Sequence, residues 1–89
     1  MTDSARPLLP SGLVVFVKRD CPTCELVVPV LENLAETGTL TIFSQDDPSF
    51  PSGMPVEDDT ALETSWHHSV ETVPTLIAVE EGVERSRTV

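Results

Sequence analysis

The spacing of apolar residues predicts four strands in this chain. Residues 14–17, Val-Val-Phe-Val, form a continuous β-branched and aromatic run, which is typical of a strand buried on both faces of a parallel sheet. Shorter apolar runs at residues 40–43 and 75–79 predict two more strands. Residues 83–89 predict a fourth, because the Glu-Glu-Gly sequence at 80–82 indicates a hairpin turn with glycine at a position of positive φ.

The segment after the first strand has helical spacing. Pro22 suits the first helical turn, where a missing N–H removes no hydrogen bond, and Gly38 is a typical helix end. Pro29 lies inside this helix and should kink it, since proline cannot donate a backbone hydrogen bond. One apolar stripe recurs at intervals of three and four residues: Leu26, Val27, Val30, Leu31 and Leu34.

A second, shorter helix is expected before the third strand. Asp58 or Asp59 can cap its N-terminus, and it should run to about residue 69 with Trp66 packed in the core. Residues 44–59, which precede this helix, are rich in proline, glycine and aspartate. A loop of this length is either functional or a mobile insertion, and its acidic side chains are expected to be solvated.

These elements follow the order β-α-β-α-β-β and predict an α/β fold with a mixed four-stranded sheet and two helices. The strand–helix–strand units call for parallel pairing, and the last two strands for an antiparallel hairpin. A chain of 89 residues has material for one domain. Residues 1–12 are expected to form a flexible leader without the apolar stretch of a signal peptide, and residues 13–89 the folded domain.

The charge balance disfavours two classes of partner. Fifteen acidic residues against five basic ones give a formal net charge of −10, which argues against nucleic acid and anionic membranes. No apolar run approaches the ~18 residues of a membrane span. Two cysteines are too few for a secreted disulfide scaffold, so a reducing cytoplasm is the expected location.

The two cysteines carry the chemistry predicted for this chain. Residues 20–24, Asp-Cys-Pro-Thr-Cys, lie between a strand and a helix, where a Cys-x-x-Cys motif is typical of a redox site. Cys21 falls at the helix start, where free N–H groups favour a thiolate, and is the expected nucleophile. Cys24 is the expected resolving thiol. The alternative is an ordinary cysteine pair or half of a metal site, although His67 and His68 are adjacent and not at ligand spacing.

Three features together make the chain resemble the thioredoxin superfamily. The Cys-Pro-Thr-Cys motif follows a strand and opens a helix, and Pro29 lies five residues after the second cysteine, like the helix-kinking proline of thioredoxins. Residues 73–82, Val-Pro-Thr-Leu-Ile-Ala-Val-Glu-Glu-Gly, are similar to the family's Ile-Pro-Thr-Leu segment and the hairpin after it. The resemblance covers residues 14–89 apart from the long loop. It implies a thioredoxin-like fold of three layers.

The resemblance also implies how the site is built. The Val73-Pro74 bond would be cis, Pro74 would lie against the cysteines, and the backbone of Val73 would bind a substrate segment as a short strand. Pro22 and Thr23 would contact the substrate as well. The resemblance implies that a proline at position 74 would also keep metals off the dithiol. The resemblance therefore implies a thiol–disulfide oxidoreductase that acts on disulfide-containing or thiol proteins, needs no cofactor or metal, and takes electrons from a donor that the sequence does not identify.

The chain also departs from the thioredoxin pattern. Proline directly follows the first cysteine, as in glutaredoxins, and the buried aspartate of thioredoxins falls on Val15 while its partner lysine falls on Ser44. Proton transfer for the resolving cysteine would then come from elsewhere, such as Glu25 or water. No segment corresponds to the family's C-terminal helix. These departures favour the alternative function, a binding or interaction module with little redox turnover. A metal-trafficking domain is a more distant alternative.

Overall fold

Five strands and three helices make up the part of the chain that the structure describes. The structure is a computed structural model and describes residues 9–89. The sequence predicted four strands and two helices, so the structure has one more of each. The additional strand has two residues and lies in the long loop, and the additional helix arises because the first predicted helix is divided in two. The elements are β1 (Gly12–Val17), α1 (Pro22–Leu26), α2 (Val28–Thr37), β2 (Leu40–Ser44), β3 (Glu57–Asp58), α3 (Glu63–His67), β4 (Thr75–Glu80) and β5 (Val83–Thr88).

The central strand β1 organises a mixed sheet with the strand order β3-β2-β1-β4-β5. β1 pairs in parallel with β2 and antiparallel with β4, while β3 is parallel to β2 and β5 antiparallel to β4. The expected parallel pairing is confirmed for β1 and β2 but is wrong for β4. The reason is that β4 begins at the end of the sheet where β1 and β2 finish. This topology brings Val17, Ser44 and Thr75 to the same edge.

Alternate residues of β1 enter two core clusters, one on each face of the sheet, so its prediction as a strand buried on both faces is confirmed. The first cluster is formed by Leu9, Val14, Phe16, Ile77 and Val79. The second cluster is formed by Val15, Val17, Cys24, Leu31 and Ile42. The second cysteine of the motif is therefore part of the hydrophobic core together with Leu31 of the predicted helix stripe. Leu26 and Val30 of that stripe are instead exposed.

Two residues of the expected leader, Leu9 and Gly12, take part in the fold. Residues 1–8 of the expected leader lie outside the described residues. Leu9 is 5% exposed and packs in the first core cluster, and Gly12 begins β1, whereas Pro10 and Ser11 between them are exposed. The physical reason for the burial of Leu9 is that it covers apolar surface that β1 and β4 would otherwise expose.

The first helix is interrupted near Pro29, as the sequence predicts. α1 ends at Leu26 and α2 begins at Val28, with Val27 between them at φ −90° and ψ −3°. Pro29 occupies the first turn of α2, where its missing N–H costs no hydrogen bond. Gly38 is the C-cap of α2, and its N–H donates to the carbonyl oxygen of Leu34 at 3.2 Å.

The helix α3 is shorter than expected and differently packed. The carboxylate of Asp59 is buried and accepts hydrogen bonds from the backbone N–H groups of Thr64 and Ser65, both at 2.9 Å. The N-cap position itself is Leu62, which makes no side-chain cap hydrogen bond, so Asp59 satisfies the first turn of α3 from three residues before the cap. Trp66 is 77% exposed, so its predicted place in the core is wrong. A helix of five residues buries one narrow face, and in α3 that face carries Ser65.

Candidate functional site

Cys21 occupies the N-cap of α1, directly after the turn that follows β1. Its backbone is extended, with φ −158° and ψ 104°, and its Sγ accepts a hydrogen bond from the backbone N–H of Cys24 at 3.3 Å. An N-cap position is usually filled by an oxygen-bearing side chain that accepts a free N–H of the first turn. Here a half-buried sulfur takes that place. The helix start therefore directs an N–H donor at the sulfur on which a thiolate charge would develop.

Cys24 lies behind Cys21 and is completely buried. Burial raises the pKa of the Cys24 thiol to about 12, the hydrogen bond with Cys21 adds to this rise, and a hydrogen bond from the backbone of Lys18 opposes it. The two thiols thus differ sharply in environment. One is accessible at a helix start, and the other is protonated in the core near neutral pH.

The loop before β4 meets the dithiol from the other side. The Val73-Pro74 peptide bond is cis, which the resemblance implied. The Cys21 thiol lies 3.8 Å from the carbonyl oxygen of Val73, close enough for a weak S–H hydrogen bond. Pro22 is exposed at the first position of α1, beside the exposed Thr23. The predicted site residues therefore lie at one end of the sheet.

An apolar groove runs from this end of the molecule between the helices and the sheet. Its volume is 420 Å³. Thr23, Val73 and Pro74 form part of its lining, and the groove continues along the apolar side of α2. The rest of the lining is formed by Val15, Val27, Val30, Leu31, Leu34, Leu76, Thr88 and Val89. An extended polypeptide next to the dithiol would therefore meet a mainly apolar surface.

Two aspartates of the long loop accept hydrogen bonds from the turn before Cys21, although Asp46 is exposed as the sequence predicts. The Asp46 carboxylate accepts hydrogen bonds from the backbone N–H groups of Arg19 at 2.7 Å and Asp20 at 3.0 Å. Asp47 forms an ion pair with the Arg19 guanidinium at 2.8 Å. A signal was present in the sequence. Both aspartates follow β2 closely, and the carboxyl ends of neighbouring parallel strands meet at one edge of a sheet.

The two aspartates have pKa values below the usual range. Burial acts to raise the pKa of Asp46, but the hydrogen bonds from Arg19 and Asp20 outweigh it and hold that pKa below its usual value. Hydrogen bonds from Ser49 and Arg19 lower the pKa of Asp47 to about 2. Both carboxylates are therefore charged at neutral pH and serve as acceptors.

Comparison with protein families identifies the chain. Its residues 10–89 match the family model described as "TraF: F plasmid transfer operon protein". The chain belongs to the TraF family. No curated protein matches its sequence. Within residues 9–89 of this TraF-family chain, no helix is long and apolar enough to span a membrane.

Solved thioredoxins share the fold of this TraF-family domain. Thioredoxin 1 from Thermosipho africanus TCF52B superposes with a TM-score of 0.61 and 20% identity, over 86% of this chain and 74% of that protein. The reduced thioredoxin pre-protein of Schistosoma mansoni gives a TM-score of 0.60 and 23% identity, over 89% of this chain and 67% of that protein. At these identities the likeness establishes the fold alone. The thioredoxin-like fold implied by the sequence is thereby confirmed.

The TraF-family site lacks ionisable side chains at the two positions that thioredoxins use beneath the dithiol. Val15 is 2% exposed and packs in the same core cluster as Cys24. Ser44 is fully buried, and its hydroxyl accepts a hydrogen bond from the backbone N–H of Asp47 at 3.2 Å. Glu25, the suggested substitute, is exposed on α1. Among residues 9–89, no group of three or more His, Cys, Asp or Glu side chains is placed to hold a metal ion.

Proposed function

We propose that this TraF-family domain is a thiol–disulfide oxidoreductase in which Cys21 and Cys24 form the reactive dithiol. The observation that carries the proposal is the environment of Cys21. Its sulfur accepts the Cys24 N–H at a helix start, lies 3.8 Å from the Val73 carbonyl oxygen, and has a fully buried second thiol behind it. The thioredoxin-like fold supports the same function, because Cys-x-x-Cys at a strand-to-helix turn in that fold is a redox arrangement.

The proposed reaction has two displacement steps. The Cys21 thiolate attacks one sulfur of a substrate disulfide, the substrate S–S bond breaks, and the second substrate sulfur leaves as a thiolate that takes up a proton. Cys24 then loses its proton and attacks the Cys21 sulfur. The Cys21–Cys24 disulfide forms and the first substrate sulfur leaves. Two electrons pass from protein to substrate, and an external dithiol must reduce the new disulfide before the next turnover.

The substrates proposed here are polypeptides that carry a disulfide. Pro22 and Thr23 are exposed beside Cys21, and Val73 and Pro74 line the opposite side, so these four residues are proposed to contact the substrate. The backbone of Val73 can pair with an extended segment, while the groove accepts apolar side chains. The family description refers to F plasmid transfer, which makes disulfide-containing proteins of that process the first substrates to test. The cytoplasmic location and the reducing direction stay predictions.

Reduction of insulin by dithiothreitol tests the proposal. We expect the wild-type domain to shorten the lag before insulin precipitates, and Cys21→Ser to remove that effect completely. Cys24→Ser should retain attack on a disulfide but stall as a mixed disulfide, which mass spectrometry would detect. If wild type and Cys21→Ser give the same lag as buffer with dithiothreitol, the oxidoreductase proposal is wrong.

The second candidate function is a binding module with little turnover. The apolar Val15 and the hydroxyl-bearing Ser44 favour it, since neither can accept the proton that Cys24 must lose. Exposed apolar side chains on the two helices after the motif, Leu26 of α1 at 77% and Val30 of α2 at 55%, also suit a binding surface. The affinity for a polypeptide partner separates the two functions. If the domain is a binding module, the wild-type protein and the Cys21→Ser/Cys24→Ser variant should bind the partner with the same affinity.

A further inference from the structure

The carboxylate of Asp46 accepts two backbone hydrogen bonds from the turn that precedes Cys21. Asp46 accepts the backbone N–H of Arg19 through Oδ1 at 2.7 Å and that of Asp20 through Oδ2 at 3.0 Å. The next N–H, that of Cys21, donates to the carbonyl oxygen of Arg19 at 2.8 Å. Asp46 therefore holds two of the three successive N–H groups that set the path of the chain into the N-cap of α1.

The position of Asp46 is itself fixed by the end of the sheet. The N–H of Gln45 donates to the carbonyl oxygen of Val17 at 2.9 Å, which extends the pairing of β1 and β2 by one residue. Ser44 is fully buried and its hydroxyl accepts the N–H of Asp47 at 3.2 Å. Asp46 lies in a loop, but the backbone N–H groups of both its neighbours, Gln45 and Asp47, are hydrogen-bonded.

We propose that Asp46 is a positioning residue that holds Cys21 at the start of α1 and thereby sets the reactivity of that thiol. This inference rests on the proposed function, because it concerns the nucleophile of the same site. The turn itself is solvent-exposed at Arg19 and Asp20, so packing alone does not fix it. Hydrogen bonds to a charged acceptor are stronger and more directional than those to a neutral one. Asp46 makes two of them from one side chain.

The charge of Asp46 and its hydrogen bonds act on Cys21 in opposite directions, which makes the inference testable. A nearby negative charge disfavours a second negative charge on a thiolate. The hydrogen bonds, in contrast, keep the sulfur where it receives the N–H of Cys24. Removing the carboxylate would speed the reaction of Cys21 if charge dominates and slow it if positioning dominates. The charged groups around this turn are Lys18, Arg19, Asp20, Glu25, Asp46 and Asp47.

The test measures alkylation of Cys21 by iodoacetamide across a pH series, in a Cys24→Ser background so that a single thiol reacts. Asp46→Ala removes the charge and both acceptors, whereas Asp46→Asn removes the charge but keeps one oxygen acceptor. We expect alkylation at neutral pH to slow about tenfold in Asp46→Ala and less in Asp46→Asn. Asp58→Asn is the matched control, because Asp58 accepts the N–H of Thr60 at 2.8 Å within its own turn.

Equal or faster alkylation in Asp46→Ala would overturn the inference, as would identical rates in Asp46→Ala and Asp46→Asn. Hydrogen exchange of the unmodified protein gives a second test that does not depend on variant folding. The amide protons of Arg19 and Asp20 should be protected despite their exposure, and free exchange would also overturn the inference. Insulin reduction by wild type remains a separate measurement. If wild type does not reduce insulin but Asp46→Ala slows the alkylation of Cys21, the proposed function is rejected and the positioning role of Asp46 is retained.

Discussion

Raising the pH should accelerate the second step of the proposed reaction far more than the first. The second step needs the thiolate of Cys24, and burial raises the pKa of this thiol to about 12. In the mixed disulfide, Cys21 no longer offers a thiol as hydrogen-bond partner, so that smaller contribution disappears. Burial, the largest cause, remains because the Cys24 side chain stays in the core cluster.

The size of the effect follows from the ionised fraction. A thiol whose pKa lies well above 9 has an ionised fraction that rises about tenfold for each pH unit between pH 7 and pH 9. The rate of disulfide closure should therefore rise about tenfold for each pH unit, or about a hundredfold over this range. Cys21 needs no proton removal in this step, since its sulfur is already part of the mixed disulfide.

Dithiodipyridine, a neutral disulfide reagent, resolves the two steps. Attack by Cys21 releases one thiopyridone, and closure by Cys24 releases the second, so the absorbance rises in two phases. The Cys24→Ser variant should show the first phase only and identifies it. Stopped-flow traces across the pH range then give the rate of each phase separately.

A second phase whose rate changes by less than about threefold between pH 7 and pH 9 would refute this reasoning. Such a result would mean that a group in the protein removes the Cys24 proton before attack. A second phase that is fast at pH 7 and insensitive to pH would have the same meaning. In either case burial would not control the resolving step.

Three further predictions concern the free energy of unfolding, measured from urea midpoints. Gly12→Ala should lose more than about 1 kcal/mol, because Gly12 has a φ of +108° and an added Cβ would lie 2.9 Å from the backbone oxygen of Thr39. Gly38→Ala, where an added Cβ meets nothing within 4 Å, is its control and should change stability by less than about 0.5 kcal/mol. Phe16→Ala should cost about 3–5 kcal/mol, since the ring is fully buried, and a loss below about 1 kcal/mol would contradict the assigned core. Trp66→Ala should stay within about 0.5 kcal/mol because the side chain is 77% exposed, and a larger loss would place it back in the core.

The features that the sequence predicted well depend on local patterns. The apolar run of β1, the helix interruption near Pro29 and the Val73-Pro74 loop all follow from residues that are close together in the chain. The features it missed depend on long-range pairing. β3 is two exposed residues that pair with the edge of β2, and neither has an apolar pattern to reveal a strand.

Asp46 was missed for a related reason. Its hydrogen-bond donors lie 26 and 27 residues away, and the aspartates around it in sequence are typical of a solvated loop. Only the parallel pairing of β1 with β2 brings the two ends together. A prediction that followed each strand to its carboxyl end would have placed the motif and the acidic residues at one edge of the sheet.

The arrangement beneath the dithiol links the two functional hypotheses. The carboxylate whose charge reaches Cys24 is that of Asp46, yet its oxygens already accept two backbone hydrogen bonds and its pKa lies below the usual value, so it is a poor base. Ser44 fixes the backbone that carries Asp46, and Val15 adds apolar contact beside Cys24. These residues therefore help to hold Cys21 in place, but none of them is suited to remove the proton from Cys24. A mixed disulfide at Cys21 should therefore be long-lived at neutral pH, which slows turnover by a reductase, whereas the binding-module function needs neither thiol.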